Sequence, residues 1–166
     1  SPHAYAKILR IDTEKAKQMP DVYLVLTGED LPEDLEPIPM RLAPNEALTK
    51  ALQYPLARDK VRYAGEPVAL VVSSTRYRAE DAAELVDVYY EPLEPITDVH
   101  EAIRPEADVL HPEIGSNDLF LIHSKKGDVD ARLKECPYVI EEDLYVQRHS
   151  GIPMETRGLL AFVDEK

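Results

Sequence analysis

Two short apolar runs constrain this chain more than any other feature in it. Val22 to Leu26 reads Val-Tyr-Leu-Val-Leu, and Val68 to Val72 reads Val-Ala-Leu-Val-Val. Each is short for a helix and lies beside turn formers, Thr27-Gly28-Glu29-Asp30 after the first and Ala64-Gly65-Glu66-Pro67 before the second. Continuous apolarity without polar alternation predicts a strand buried on both faces for the first run, and the second is of the same kind. Pro67 stands at the start of its run, where a missing N–H does least harm. Gly65 is free to take the positive φ that the turn requires.

The neighbouring segments supply edges and cover for such strands. Ala4 to Ile11 alternates apolar and polar, as a half-buried strand does, and Lys60 to Tyr63 reads as a short strand. Asp12 can cap a short helix running through Gln18, with Pro20 marking its end. The clearest helix follows Ser74 and Thr75, either of which can cap it. Ala79, Ala82, Ala83 and Val86 share one stripe at helical spacing, while Arg76 and Glu80 form an i,i+4 pair. Alanines on that stripe would let the helix lie close to a sheet. Val86 to Tyr90 then alternates as a strand ended by Glu91-Pro92, and Asp98 to Ile103 suggests a brief capped helix.

Other stretches carry less order. Pro32, Pro37, Pro39, Pro44 and Pro55 punctuate residues 31–55, and each restricts its predecessor as well as itself. A long excursion is expected there, with a helical turn over Asn45 to Leu52. Arg104 to Pro137 has little periodicity and reads as a linker. Tyr138 to Tyr145 and Gly158 to Val163 are expected to form two strands of an incomplete hairpin.

Charge and residue usage exclude several function classes. A formal net charge of −13 disfavours a nucleic-acid backbone and an anionic membrane surface alike. No apolar run reaches the roughly 18–20 residues of a membrane span, and no basic-then-apolar leader follows Ser1. The single cysteine, Cys136, has no partner for an intrachain disulfide, which fits a reducing, cytoplasmic setting.

The expected chemistry is equally sparse. His3, His100, His111, His123 and His149 are scattered, with no pair at i,i+3 or i,i+4, so no zinc site is expected. The six glycines stand far apart and form no phosphate-cradling loop. Glu141, Glu142 and Asp143 form a run best read as a solvated edge. The densest polar stretch is Gln147 to Gly158. There Glu155 can pair with Arg148 or Arg157, because a guanidinium offers a fork of donors to a carboxylate. These three residues are read as a structural or interdomain contact. No catalytic, cofactor-binding or metal-binding residue is expected in the chain.

Several stretches together resemble one family. Ser1-Pro2-His3-Ala4 leads into a strand. Leu56-Ala57-Arg58-Asp59-Lys60-Val61-Arg62-Tyr63-Ala64-Gly65-Glu66-Pro67-Val68-Ala69 follows, then Ala79-Glu80-Asp81-Ala82-Ala83-Glu84-Leu85-Val86 and Tyr90-Glu91-Pro92-Leu93. In that order they resemble the α/β hammerhead domain of the large subunit of molybdenum hydroxylases, the family of xanthine dehydrogenase, aldehyde oxidase and aerobic carbon monoxide dehydrogenase. Pro153-Met154-Glu155-Thr156-Arg157-Gly158 resembles a P-M-E-P-R-G element near the start of the family's molybdopterin-binding region, with Thr156 in place of the commoner proline. Tyr5 stands where many members have His.

The resemblance implies an α+β fold, a mixed β-sheet with packed helices, followed by a truncated β-hairpin of the next domain. It implies a hammerhead domain over 1–104, a linker over 105–137 and the start of the molybdopterin-binding domain over 138–166, with both ends inside familiar patterns. It further implies a non-catalytic piece of a larger oxidoreductase. The rest of that large subunit would carry a molybdopterin-type molybdenum cofactor, with an iron–sulfur small subunit and an FAD medium subunit as partners. The alternative, from another class, is a free-standing acidic α+β protein-interaction module. The apolar strand Leu159 to Val163 is expected to invite self-association of the chain as it stands.

Overall fold

The computed structural model describes residues 1–39, 51–119, 123–147, 149, 151, 154–155 and 158–159. The chain divides into two compact units, 1–123 and 124–166. The first holds β1 (Ala6–Asp12), α1 (Glu14–Lys17), β2 (Val22–Thr27), β3 (Lys60–Val61), β4 (Ala69–Ser73), α2 (Arg76–Ala83), β5 (Asp87–Pro92) and α3 (Val99–Ala102). The second holds α4 (Val129–Glu135). No helix among the described residues is long and apolar enough to cross a membrane.

The first unit is α+β, with two antiparallel sheets. In one, β1 lies between β3 and β5, with Ala6 opposite Val61 on one side and Pro92 on the other. The register of β1 on β5 shifts between Ile8 and Arg10, the mark of a bulge. Ala6, Ala57 and Val61 form the core behind this sheet, packed by Ile8, Val68 and Tyr90. The other sheet pairs β2 with β4, setting Leu24 opposite Val72 and Leu26 opposite Leu70.

Helices cover one face of the second sheet. Ala16 of α1 and Ala82 of α2 are fully buried against Val25, with Val22, Val71 and Val86 around them. Thr75 is extended and its side chain accepts the Arg78 N–H at 3.3 Å, so the expected cap starts α2. Arg76 and Glu80 pair at 2.7 Å on the exposed side. The buried stripe is narrower than its spacing predicts: Ala82 is sealed while Ala83 is exposed. The N-cap of α1 is Thr13, one residue beyond the expected Asp12, whose carboxylate accepts the Glu14 N–H at 3.2 Å.

The opposite face of this sheet differs from expectation. Val25 is 4% exposed, yet Tyr23 is 69%, Leu24 45%, Leu70 48% and Val72 40% exposed. The strands have the composition of a sheet buried on both sides, and the described residues bury it on one.

Four local devices fix the loops. Gly28 closes β2 against the chain before β3, where an added Cβ would stand 2.2 Å from the Ala57 carbonyl oxygen. The Asp30 carboxylate accepts both the Thr27 N–H at 2.7 Å and the Thr27 hydroxyl at 2.8 Å, closing the turn after β2. Asp98 caps α3 through the His100 and Glu101 N–H groups, and Asn117 ties residues 102, 108 and 110 together by its amide.

In the second unit, α4 lies inside the segment read as linker. Asp128 caps it by accepting the Ala131 N–H at 3.1 Å. The overlooked signal was a capping residue followed by Val129 and Leu133 at i,i+4. Tyr138 to Tyr145, expected as a strand, has no ladder partner among the described residues, and its side chains are exposed. A strand exists only by pairing, so its alternation alone does not make one. Most of Gly158 to Val163 and of the turn expected over Asn45 to Leu52 lies outside the described residues.

Two outcomes test this account. Gly28→Ala forces a methyl onto a backbone carbonyl, and the urea midpoint should fall by the equivalent of about 1–3 kcal/mol. Asp30→Asn keeps an acceptor but loses the charge. The backbone and hydroxyl of Thr27 hold the Asp30 carboxyl below its usual value. Its contribution is therefore present above the unfolded carboxylate pKa of about 4 and lost as pH falls through the lower folded value. Because Asp30 is exposed, the variant should lose under about 1 kcal/mol at neutral pH. That difference should close in acid when melting curves are recorded across pH.

Candidate functional site

A recess of the first unit, about 240 Å³, lies where the loop before β3 meets the segment after α3. Its wall carries Tyr54, Arg58, Arg62, Glu66, His111 and Glu113. Half of these come from the stretch between Pro55 and Pro67, whose local structure explains their placement. β3 is only two residues long because its pairing with β1 ends at Val61. The chain then turns through Gly65 at φ 88°. Glu66 is turned inward, 7% exposed, and its carboxylate accepts the Arg62 backbone N–H. A buried carboxylate needs such a donor, and here it also closes the turn.

The two arginines are held differently. Arg58 stacks 4.0 Å over the Tyr54 ring, and its Nη2 donates to the Pro32 carbonyl at 3.4 Å. Arg62 donates from Nη1 to the Lys60 carbonyl at 3.4 Å and holds Nη2 at 3.9 Å from Asp59. The Nε of each is buried and has no hydrogen-bond partner. Orphaned buried donors are costly, and a water seated in the recess is the ordinary way to satisfy them.

From the other side come His111 and Glu113, with Nδ1 3.0 Å from Oε1. Burial pushes the Glu113 carboxyl up. Its own backbone N–H, His111 and Arg62 outweigh that and hold it below the usual carboxylate range. The recess thus sets two guanidinium groups and an imidazole against Asp59, Glu66 and Glu113. Its charge is mixed, which suits an internally balanced polar joint better than a funnel for one sign of ligand.

Among the described residues, no nucleophile–base pair is assembled in it. Among the described residues, no group of three His, Cys, Asp or Glu could hold a metal ion. Gly65, Gly115 and Gly127, which have positive φ, approach nothing that would cradle a phosphate.

Of the contact residues expected from sequence, Arg148 and Arg157 lie outside the described residues, and Glu155 is exposed. The recess itself was not anticipated. Arg58, Arg62 and Glu66 stand within the motif that carried the family resemblance. Their meeting with His111 and Glu113, some fifty residues on, leaves no local signature.

Comparison with known proteins gives this arrangement its setting. Residues 1–94 match the family model of the aldehyde oxidase and xanthine dehydrogenase a/b hammerhead domain, and residues 110–166 match that of a molybdopterin cofactor-binding domain. The chain is 39% identical over 163 residues to the nicotine 6-hydroxylase large subunit of Paenarthrobacter nicotinovorans, covering 97% of this chain and 20% of that protein. It is 35% identical over 179 residues to the carbon monoxide dehydrogenase large chain of Afipia carboxidovorans, covering 99% of this chain and 21% of that one. Among solved structures, the aldehyde oxidoreductase of Desulfovibrio desulfuricans superposes with a TM-score of 0.67 at 27% identity, over 82% of this chain and 15% of that one. Carbon monoxide dehydrogenase from Oligotropha carboxidovorans gives 0.56 at 44% identity, over 64% and 13%. The chain spans about a fifth of the length of the curated relatives it matches. It belongs to the aldehyde oxidase and xanthine dehydrogenase family and corresponds to a part of the large subunit of molybdenum hydroxylases that includes the a/b hammerhead domain.

Proposed function

We propose that the polypeptide containing this chain works as the molybdopterin-binding large subunit of a molybdenum hydroxylase-type oxidoreductase, acting on carbon monoxide, an aldehyde, a purine or an N-heterocycle. The observation that carries this reading is the order of two family matches on one chain, hammerhead residues 1–94 and then cofactor-binding residues 110–166. The relatives' names support assembly with other subunits: one is the "6-hydroxypseudooxynicotine dehydrogenase complex subunit gamma" and others are "large chain" proteins. An iron–sulfur small subunit and an FAD medium subunit are the proposed partners, and the cytoplasm the proposed location.

A molybdenum cofactor, when bound, supplies a two-electron oxidation of the substrate carbon with oxygen drawn from water. The described residues of this chain do not fit that group, for they offer neither a converging ligand set nor a glycine-lined cradle. None of them is assigned to hold it. The role proposed for this chain is architectural. A hammerhead domain over 1–104 and a connecting segment over 105–137, which carries α4, lead into the start of the cofactor-binding domain over 138–166. Arg148, Glu155 and Arg157 are proposed as contacts to neighbouring polypeptide, and the exposed side chain of Glu155 is accessible for one.

Metal analysis of the full-length protein purified from its own host tests the reading. About one molybdenum per polypeptide is expected, with iron and flavin co-purifying in the complex. A full-length protein that carries no molybdenum when isolated intact with its partners would refute it. The 166-residue chain alone should retain none.

A further inference from the structure

The β2–β4 sheet carries a mismatch between what its strands are made of and what covers them. In antiparallel sheets with one wet face, that face is polar and the strands alternate. Here Val22–Thr27 reads Val-Tyr-Leu-Val-Leu-Thr and Ala69–Ser73 reads Ala-Leu-Val-Val-Ser, with no charged residue in either strand of a chain whose net charge is −13. One face is sealed by Ala16 and Ala82 against Val25. Across the other, Leu24 stands opposite Val72 and Leu26 opposite Leu70. Leu24, Leu70 and Val72 are 40–48% exposed, and Tyr23, where the register shifts, is 69% exposed. An outer face built of cross-strand apolar pairs marks an interface.

We infer that this outer face, Leu24, Leu70 and Val72 with Tyr23 at its margin, is the seat on which an apolar surface of the rest of the same polypeptide packs. The inference rests on the reading that the full-length protein is a large subunit of this family. Relatives that align with 97–99% of this chain are about five times as long as it, the chain making up 20–21% of each. Polypeptide joined covalently meets the face at an effective concentration that no separate partner matches. An apolar face without charges gives little to steer a transient charged partner, and suits a permanent contact resembling a core cut in two.

Hydroxyl-radical footprinting of the full-length protein, read by mass spectrometry, tests this. Labelling of Tyr23, Leu24, Leu70 and Val72 in the large subunit, freed from its partner subunits at high dilution, is compared with that of Val25 on the sealed face. The expected result is protection down to the level of Val25, about tenfold below the urea-unfolded protein, as for a fully desolvated interface centre. Labelling of the four residues close to the unfolded rate overturns the inference. So does protection that appears only in the assembled complex, which assigns the face to another subunit. Protection that grows with concentration also overturns it, assigning the face to a second copy. A failure of the underlying family reading shows separately, as a full-length protein of the wrong size without molybdenum.

Discussion

The first unit depends on a close approach of backbone to backbone at Gly28. There the chain leaving β2 lies against Ala57 and Arg58, the residues that lead into β3. The contact brings the end of one sheet to the start of the other, because Ala57 is itself packed with Ala6 and Val61 in the core of the β3–β1–β5 sheet. A side chain at position 28 would hold the two segments apart. The small cores on either side, built largely of alanine and valine, have no long side chains to bridge such a gap.

From that junction the polar recess follows. Bringing residues 57 and 58 to the β2 turn sets Arg58 on Tyr54 and beside the Pro32 carbonyl, and the short β3 then carries Arg62 into the same wall. Glu66 folds inward to satisfy the Arg62 backbone, while Asn117 holds the segment that supplies His111 and Glu113. Each group is largely engaged with backbone or with a neighbour of opposite character. The recess is therefore a polar joint of mixed charge between the two segments.

Much of the fold was legible because its signals are local. Thr75 caps α2 and Asp98 caps α3 as their positions suggested, and Arg76 meets Glu80 at helical spacing. Gly65 takes the positive φ expected of its turn. The helix Val129–Glu135 was legible in principle, since Asp128 and the Val129–Leu133 spacing mark it, but a proline- and glycine-rich setting masked the signal. Tyr138 to Tyr145 shows the converse. Its alternation is strand-like, yet strand formation is settled by a partner chain and not by the segment itself.

By itself the sequence determined which segments become strands and helices in the first unit, where the turns fall, and the family to which the chain belongs. These rest on periodicity, capping and long contiguous motifs, all of which act over a few residues. Only the tertiary structure decided that the strands divide into two sheets, that α1 and α2 cover one face of β2–β4 and not the other, and that Arg58, Arg62 and Glu66 share a wall with His111 and Glu113. The physical reason is that burial and charge pairing between distant segments depend on which surfaces the chain closure brings together. No residue carries that information alone.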